Sequence, residues 1–420
     1  MQLIERFEFF PLTFDENGKL TSRREFKALA ERAKSDEVTD AIVLAHGFRN
    51  DEGDATTLYT QFLQTFRRHL TRAEFQPVAA RGFVVAGVYW PSKAFRETFD
   101  SGSETRGLRS EEAALADAKA QLRDLKRDAK PAQRKKLDKA IRLLPKLEGH
   151  PKAQDEFVAL VLSLLDRAKT DKTEGLEQIT KRSGSELLNR LSVPAAATRG
   201  IGDVFGGIAG GIGQFLNLTT WYVMKDRSGT VGENGVADLV RALRAARRDL
   251  KIHLVGHSLG GRLMAACAMA LGKAPKVRPD SLLLLEAAFS HYGFSPDNGQ
   301  GVPGFFRSVI DRKVVKGPFV STFSAEDAVV GTAYSIMSRL ARDNTRDVGD
   351  AADEFGGIGR NGPLKTEEVA TSKLLAPGTP YEYTDGVINN LDGSGGLIKD
   401  HGDVTNDAIT YAFASAVART

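Results

Sequence analysis

Short unbroken apolar runs alternate along this chain with longer stretches in which apolar residues recur every three or four positions. That alternation predicts strands buried on both faces and joined by helices, hence an α/β fold with a mostly parallel central sheet flanked by helices. Strands are predicted over residues 3–10, 40–45, 81–90, 251–255, 281–285 and 317–324. A polar turn at Asp15, Glu16, Asn17 and Gly18 precedes a helix over 22–33, and further helices are predicted over 55–70, 234–249 and 262–270. A last helix is predicted over 404–418. Residues 343–396 are glycine-rich, acidic and aperiodic, and read as a long surface excursion.

The pattern changes after Ser92. Residues 104–190 are dominated by lysine, arginine, glutamate, alanine and leucine and hold almost no strand formers. Leu115, Leu122 and Leu125, then Leu137, Ile141 and Leu144, then Phe157, Val161, Leu164 and Leu165 lie at helical spacing, with Pro131, Pro145 and Pro151 as breaks. Residues 93–224 are therefore expected to form a large helical insertion, a self-packed cap, between core segments 1–92 and 225–420. An arm that receives a protein partner is the alternative for the same helices. Residues 199–216 place Gly202, Gly206 and Gly210 at small-xxx-small spacing with Phe205, Ile208, Ile212 and Phe215 between them. Asp203 and the shortness of the run make it unfit to span a bilayer. A mobile apolar flap, or a packed helix near an active-site mouth, is expected, with interfacial membrane contact as the alternative.

Composition removes some classes. With 420 residues and 41% apolar content, the chain can bury one large domain plus an insertion. Lys and Arg number 58 against 54 Asp and Glu, an imbalance too small to predict a nucleic-acid partner. Arg134, Lys135 and Lys136 lie among acids without interleaved aromatics and read as a solvated helix face. The single cysteine, Cys267, excludes an internal disulfide and a thiolate metal cluster. The first ten residues alternate charged and apolar types and lack the apolar core of a signal peptide, so a cytoplasmic location is expected.

Chemistry enters at Gly256-His257-Ser258-Leu259-Gly260-Gly261, between the run 251–255 and the helix 262–270. A serine on a tight strand-to-helix turn holds a strained backbone, so the residues two before and two after it must be small. The strain lifts the hydroxyl clear of the sheet, and the helix that starts there aims amide groups at the reacting atom. An incidental serine in a glycine-rich turn would show the same letters. The order helix, buried strand, turn, helix is what marks Ser258 as a nucleophile candidate.

A serine hydroxyl needs a base to take its proton and a carboxylate to orient that base. Among seven histidines, His253 lies in a strand, His257 flanks the serine, His46 opens the loop after an earlier strand, and His69 and His150 sit in charged contexts. His401, just before the last helix, is the expected base, with His291 after strand 281–285 as its rival. Asp327, after strand 317–324, is the expected acid; Glu286 and Glu326 are the alternatives, and capping of the following helix is the plainer role for Asp327. The Leu259 amide and the Phe48 amide, the latter in the loop His46-Gly47-Phe48, are candidate oxyanion donors.

Ala45-His46-Gly47-Phe48, Tyr89-Trp90-Pro91-Ser92, Gly256-His257-Ser258-Leu259-Gly260-Gly261, Phe323-Ser324-Ala325-Glu326-Asp327 and His401-Gly402-Asp403 together resemble the α/β-hydrolase superfamily. More narrowly, they look like bacterial esterase- or lipase-like serine hydrolases with an H-G-[FY] loop and a W-P-S strand end. The resemblance covers about residues 3–92 and 225–420. It implies Ser258 as nucleophile, His401 as base, Asp327 as acid, and Phe48 and Leu259 at the oxyanion hole, with His46, Gly47, Gly256, His257 and Gly260 in support. It further implies an ester or lipid-like small-molecule substrate and no metal or organic cofactor. The long insertion departs from the minimal fold and leaves the substrate open.

Overall fold

The structure is a computed structural model that describes residues 2–92, 111–127, 129–165, 171–192, 207–274, 276–341, 350–379 and 381–420. Gly202, Asp203, Phe205 and Gly206 of the glycine-rich run lie outside the described residues, as do residues 93–110 and 342–349. The chain forms two compact units: residues 1–92, 227–331 and 356–420, and residues 93–226 with 332–355. The second segment of the core thus starts at Arg227 rather than 225. Residues 332–355, expected in the core, belong to the second unit.

Among the described residues nine strands build the sheet of the first unit: β1 Gln2–Ile4, β2 Phe7–Thr13, β3 Asp40–Ala45, β4 Phe83–Tyr89, β5 Lys251–His257, β6 Ser281–Leu285, β7 Phe319–Phe323, β8 Val369–Lys373 and β9 Ile388–Asp392. Their spatial order is β1-β2-β4-β3-β5-β6-β7-β9-β8. Only β1 runs antiparallel to its neighbour; every other pairing is parallel. The single strand expected over residues 3–10 is in fact a hairpin. Glu5 and Arg6 form its two-residue turn with φ of 49° and 68°, a conformation that usually calls for glycine or asparagine and left no mark in the pattern.

The central parallel strands β3, β4 and β6 are buried on both faces, as their unbroken apolar runs require. On one face Ile42, Leu44, Val85, Val255 and Leu283 pack with Phe62 and Phe66 of the helix Glu52–His69 and with Phe413 of the C-terminal helix Asp407–Ala418. Strand alternation turns Val43, Ala86, Leu254 and Leu284 the other way. The helices Ala237–Ala246 and Leu259–Leu271 share no residue with the first cluster; they pack against each other, and Leu259–Leu271 packs on β5. Cys267 is buried in that helix.

The surface excursion expected over 343–396 is corrected by β8, β9 and the short helix Ile358–Asn361, which carry the buried Ile358, Leu374, Ile388 and Leu391. β9 is polar at its centre. Asn389 donates to the Phe319 and Thr384 carbonyls, so its amide is satisfied inside the sheet where hydrophobic periodicity sees only a loop.

In the second unit the helices Glu111–Arg127, Pro131–Leu143, Pro151–Leu162 and Gly184–Ser192 bury Leu122, Leu137, Phe157 and Leu188. Lys225 donates to Glu174 and, at 2.8 Å, to the Tyr334 hydroxyl, and this buried polar link ties residues 332–355 to that unit. Among the described residues no helix is long and apolar enough to cross a membrane.

Candidate active site

β5 delivers the chain to Ser258, whose φ of 57° and ψ of −123° place it in a strained conformation directly ahead of the helix Leu259–Leu271. The turn is this tight because two glycines permit it. A Cβ on Gly256 would lie 2.2 Å from the Gly260 carbonyl oxygen, and one on Gly260 would lie 2.3 Å from the Ala45 oxygen. The Ser258 amide donates to the Leu285 carbonyl at 3.0 Å, and the Ala288 amide donates to the Ser258 carbonyl at 3.0 Å, so β6 fixes the turn from its far side.

His401 Nε2 lies 2.8 Å from Ser258 Oγ, and His401 Nδ1 lies 2.8 Å from Asp327 Oδ2. Asp327 is fully buried, and its Oδ1 accepts the Val330 amide at 2.9 Å. One carboxylate therefore both caps the helix Ala328–Ala341 and receives the histidine. With Nδ1–H donated to Asp327, Nε2 is left as an acceptor facing the serine hydroxyl, the tautomer that proton abstraction requires.

Two further histidines hold the surroundings and stay neutral. His257 Nε2–H donates to the His401 carbonyl at 2.8 Å, and the two rings lie 4.8 Å apart. Burial, and then the charge His401 can carry, push His257 down to about 3. His46 is pushed down to about 4 by burial. It stacks on Trp90 at 5.7 Å, its carbonyl accepts Trp90 Nε1–H at 3.0 Å, and its amide donates to the Tyr59 hydroxyl at 2.9 Å. Tyr59 passes that bond on to the Val88 carbonyl at 2.6 Å.

This aromatic bracket holds the loop that begins at Gly47. A Cβ on Gly47 would lie 2.8 Å from the Ser258 Cβ, so only glycine lets the loop approach the serine. Phe48 follows Gly47, and the next residues are tied down where the Arg49 amide donates to the Ser92 carbonyl at 3.2 Å and the Ser92 hydroxyl donates to the Asn50 carbonyl at 2.8 Å. Leu259 is the first residue of its helix, where an amide has no intrahelical acceptor.

The rivals lie elsewhere. His291 is buried beside Asn361, with Nδ1 3.1 Å from the amide nitrogen. Glu326 is exposed and accepts from the Ser324 hydroxyl at 2.6 Å and the Gly395 amide at 3.1 Å. His253 is buried on Asp40 at 2.9 Å, His69 meets Thr410 at 3.1 Å, and His150 turns to the Glu148 carbonyl. Glu286 follows β6, fully buried, without a hydrogen bond to His401. Sequence reasoning missed Tyr59, whose position on the apolar face of its helix marks only a core residue, and the bracketing role of Trp90. Among the described residues no group of three or more His, Cys, Asp or Glu side chains is arranged to hold a metal ion. Comparison of the chain with family models, curated proteins and solved structures finds no match.

Proposed function

We propose that this protein is a serine hydrolase of the α/β-hydrolase type that cleaves a carboxylic ester through an acyl-enzyme. The observation that carries the reading is the unbroken chain from Ser258 Oγ through His401 to Asp327, two contacts of 2.8 Å each, anchored at a serine with positive φ. The order along the chain supports it: nucleophile after β5, acid after β7, base before the last helix. A mostly parallel sheet flanked by helices is compatible with it.

In this mechanism Ser258 Oγ attacks the ester carbonyl carbon while its proton passes to His401 Nε2. The Asp327 carboxylate stabilises the imidazolium, and the amides of Leu259 and Phe48 receive the oxyanion, each worth about 10²–10³ in rate. The carbon–oxygen bond to the alcohol breaks as His401 returns the proton to the leaving oxygen. Water then adds to the acyl-enzyme with His401 again as base, releasing the acid and restoring the serine. Every proton and electron pair is accounted for by groups of the chain and water.

A fluorophosphonate probe tests the reading. Ser258 is expected to be labelled in the folded protein and the label to be lost in Ser258→Ala, with p-nitrophenyl esters of short and long acyl chains then ranking the substrates. No labelling of folded protein would turn the assignment to a scaffold that binds a protein partner. Turnover of amides or phospholipids in place of simple esters would keep the triad and change the substrate class to that of a peptidase or phospholipase; transfer to an acceptor alcohol would indicate an acyltransferase.

A further inference from the structure

Glu286 has no part in the chemistry above, yet the fold places it with care. It follows β6 directly with φ of 44°, a left-handed conformation that side chains other than glycine rarely hold. Its amide donates to the Thr322 hydroxyl at 3.2 Å. Gly359 closes over its backbone so tightly that a Cβ there would lie 2.5 Å from the Glu286 carbonyl carbon. The Gly359 amide donates to the Ala287 carbonyl and its own carbonyl accepts the Ser324 amide, both at 3.0 Å, which locks the ends of β6 and β7 at one spacing.

The carboxyl group held there is fully buried, and neither oxygen has a hydrogen-bond partner of good geometry among the described residues. The polar groups that act on it are the Asp327 carboxylate, the Thr322 hydroxyl and the Ser324 amide. Arg360, on the adjoining turn, directs its guanidinium to the carbonyls of Ala325 at 2.6 Å and Asp327 at 3.0 Å. His401 lies beyond Asp327. Two buried carboxyls that act on each other, with no Lys or Arg ion pair to either among the described residues, cannot both ionise. Burial first, and the Asp327 charge second, push Glu286 well above the ordinary glutamate range.

We infer that Glu286 is a positioning residue: a carboxylic acid whose O–H donates to Asp327 and fixes the carboxylate that His401 uses. Asp327 then accepts three donors, the His401 Nδ1–H, the Val330 amide and the Glu286 acid, and has no freedom to swing away from the imidazole. The effect on turnover rests on the hydrolase reading; the shared proton does not.

Two variants and two readouts test this. Glu286→Gln keeps the shape and an N–H donor, whereas Glu286→Met keeps the volume and removes the donor. For the proton itself, unfolding is measured against pH. Above the ordinary glutamate range the unfolded chain gives up this proton and the folded chain keeps it, so folding weakens as pH rises. The unfolding constant of the natural chain is expected to climb about tenfold more per pH unit than that of Glu286→Gln. Equal slopes would mean that Glu286 is ionised when folded and would overturn the proposal whether or not the protein is an enzyme.

For positioning, Glu286→Gln is expected to retain kcat within about threefold. Glu286→Met is expected to lose on the order of tenfold in kcat at unchanged KM, with the acid limb of kcat/KM moved upward because Asp327, freed of a donor, becomes the stronger base. A Met variant with the natural kcat and pH profile would overturn the role while leaving the hydrolase assignment standing. Absence of all ester turnover, with the stability slopes as expected, would remove the hydrolase reading and leave the shared proton.

Discussion

Replacing Asp327 with Asn isolates the electrostatic part of the site from its architecture. Asp327 Oδ1 accepts the Val330 amide at 2.9 Å and Oδ2 accepts His401 Nδ1–H at 2.8 Å. An asparagine can satisfy Val330 only with its carbonyl oxygen, so its NH₂ group is turned toward His401. Nδ1 then becomes the acceptor and the ring proton moves to Nε2, facing Ser258 Oγ, where the imidazole can no longer take the hydroxyl proton. Loss of the productive tautomer costs about 10⁴ in kcat in serine triads, or about 5.5 kcal/mol of barrier at 1.36 kcal/mol per tenfold. KM is expected to stay within about twofold, because ground-state binding does not use this proton. The helix cap survives, so thermal unfolding is expected to match the natural chain, which separates a chemical defect from a folding one. Ester turnover and fluorophosphonate labelling rates measure the loss. A folded Asp327→Asn protein within tenfold of natural kcat would refute the assignment and require another acid. Neither Glu286 nor Glu326 touches His401 as the site stands.

Gly47→Ala is expected to lower kcat by about 10² or more, since its Cβ would meet the Ser258 Cβ at 2.8 Å and must push away the loop carrying the Phe48 amide; unaltered turnover would remove that loop from the oxyanion site. The neutral histidines give an acid sensitivity of defined sign. Below about 6.5 the unfolded chain takes protons that folded His46 and His257 refuse until about 4 and about 3, so stability falls with falling pH by on the order of 3–5 kcal/mol for each group. Denaturant titrations at pH 7 and pH 5 are expected to show a smaller loss for His257→Gln than for the natural chain, and equal losses would contradict a neutral His257.

Much of this site was legible in the chain because its parts are local. Gly256 and Gly260 bracket Ser258 within five positions, and steric necessity at a strand-to-helix turn writes itself into adjacent letters. Asp327 and His401 were found by place, one after a strand and one before a helix, which works because a parallel sheet presents all its strand ends at one edge. The strands β3, β4, β5, β6 and β7 were visible for the same reason, since burial on both faces leaves an unbroken apolar run.

What stayed hidden depends on contacts that no window of sequence contains. β8 is exposed, and β9 is polar at its centre, with the Asn389 amide donating to the Phe319 carbonyl 70 residues away; β9 is a strand only once β7 is beside it, and β8 only once β9 is. The choice among Asp327, Glu286 and Glu326 is of the same kind. All three follow a strand end, and single-residue offsets decide the outcome: Glu326 turns outward to Ser324 and Gly395, Asp327 turns inward to His401, and Glu286, at positive φ, makes no hydrogen bond to the imidazole. A backbone angle of that sort in a residue other than glycine is held by the surrounding fold, here by Gly359 and Thr322, against its own preference. The local sequence around Glu286 therefore argues against the conformation it adopts, and the energy that enforces it comes from packing 73 residues away, at Gly359. Where a fold overrules local preference at a buried acid beside Asp327, the proposed shared proton gives that strain a use, and that is why the two carboxyls have to be tested as a pair.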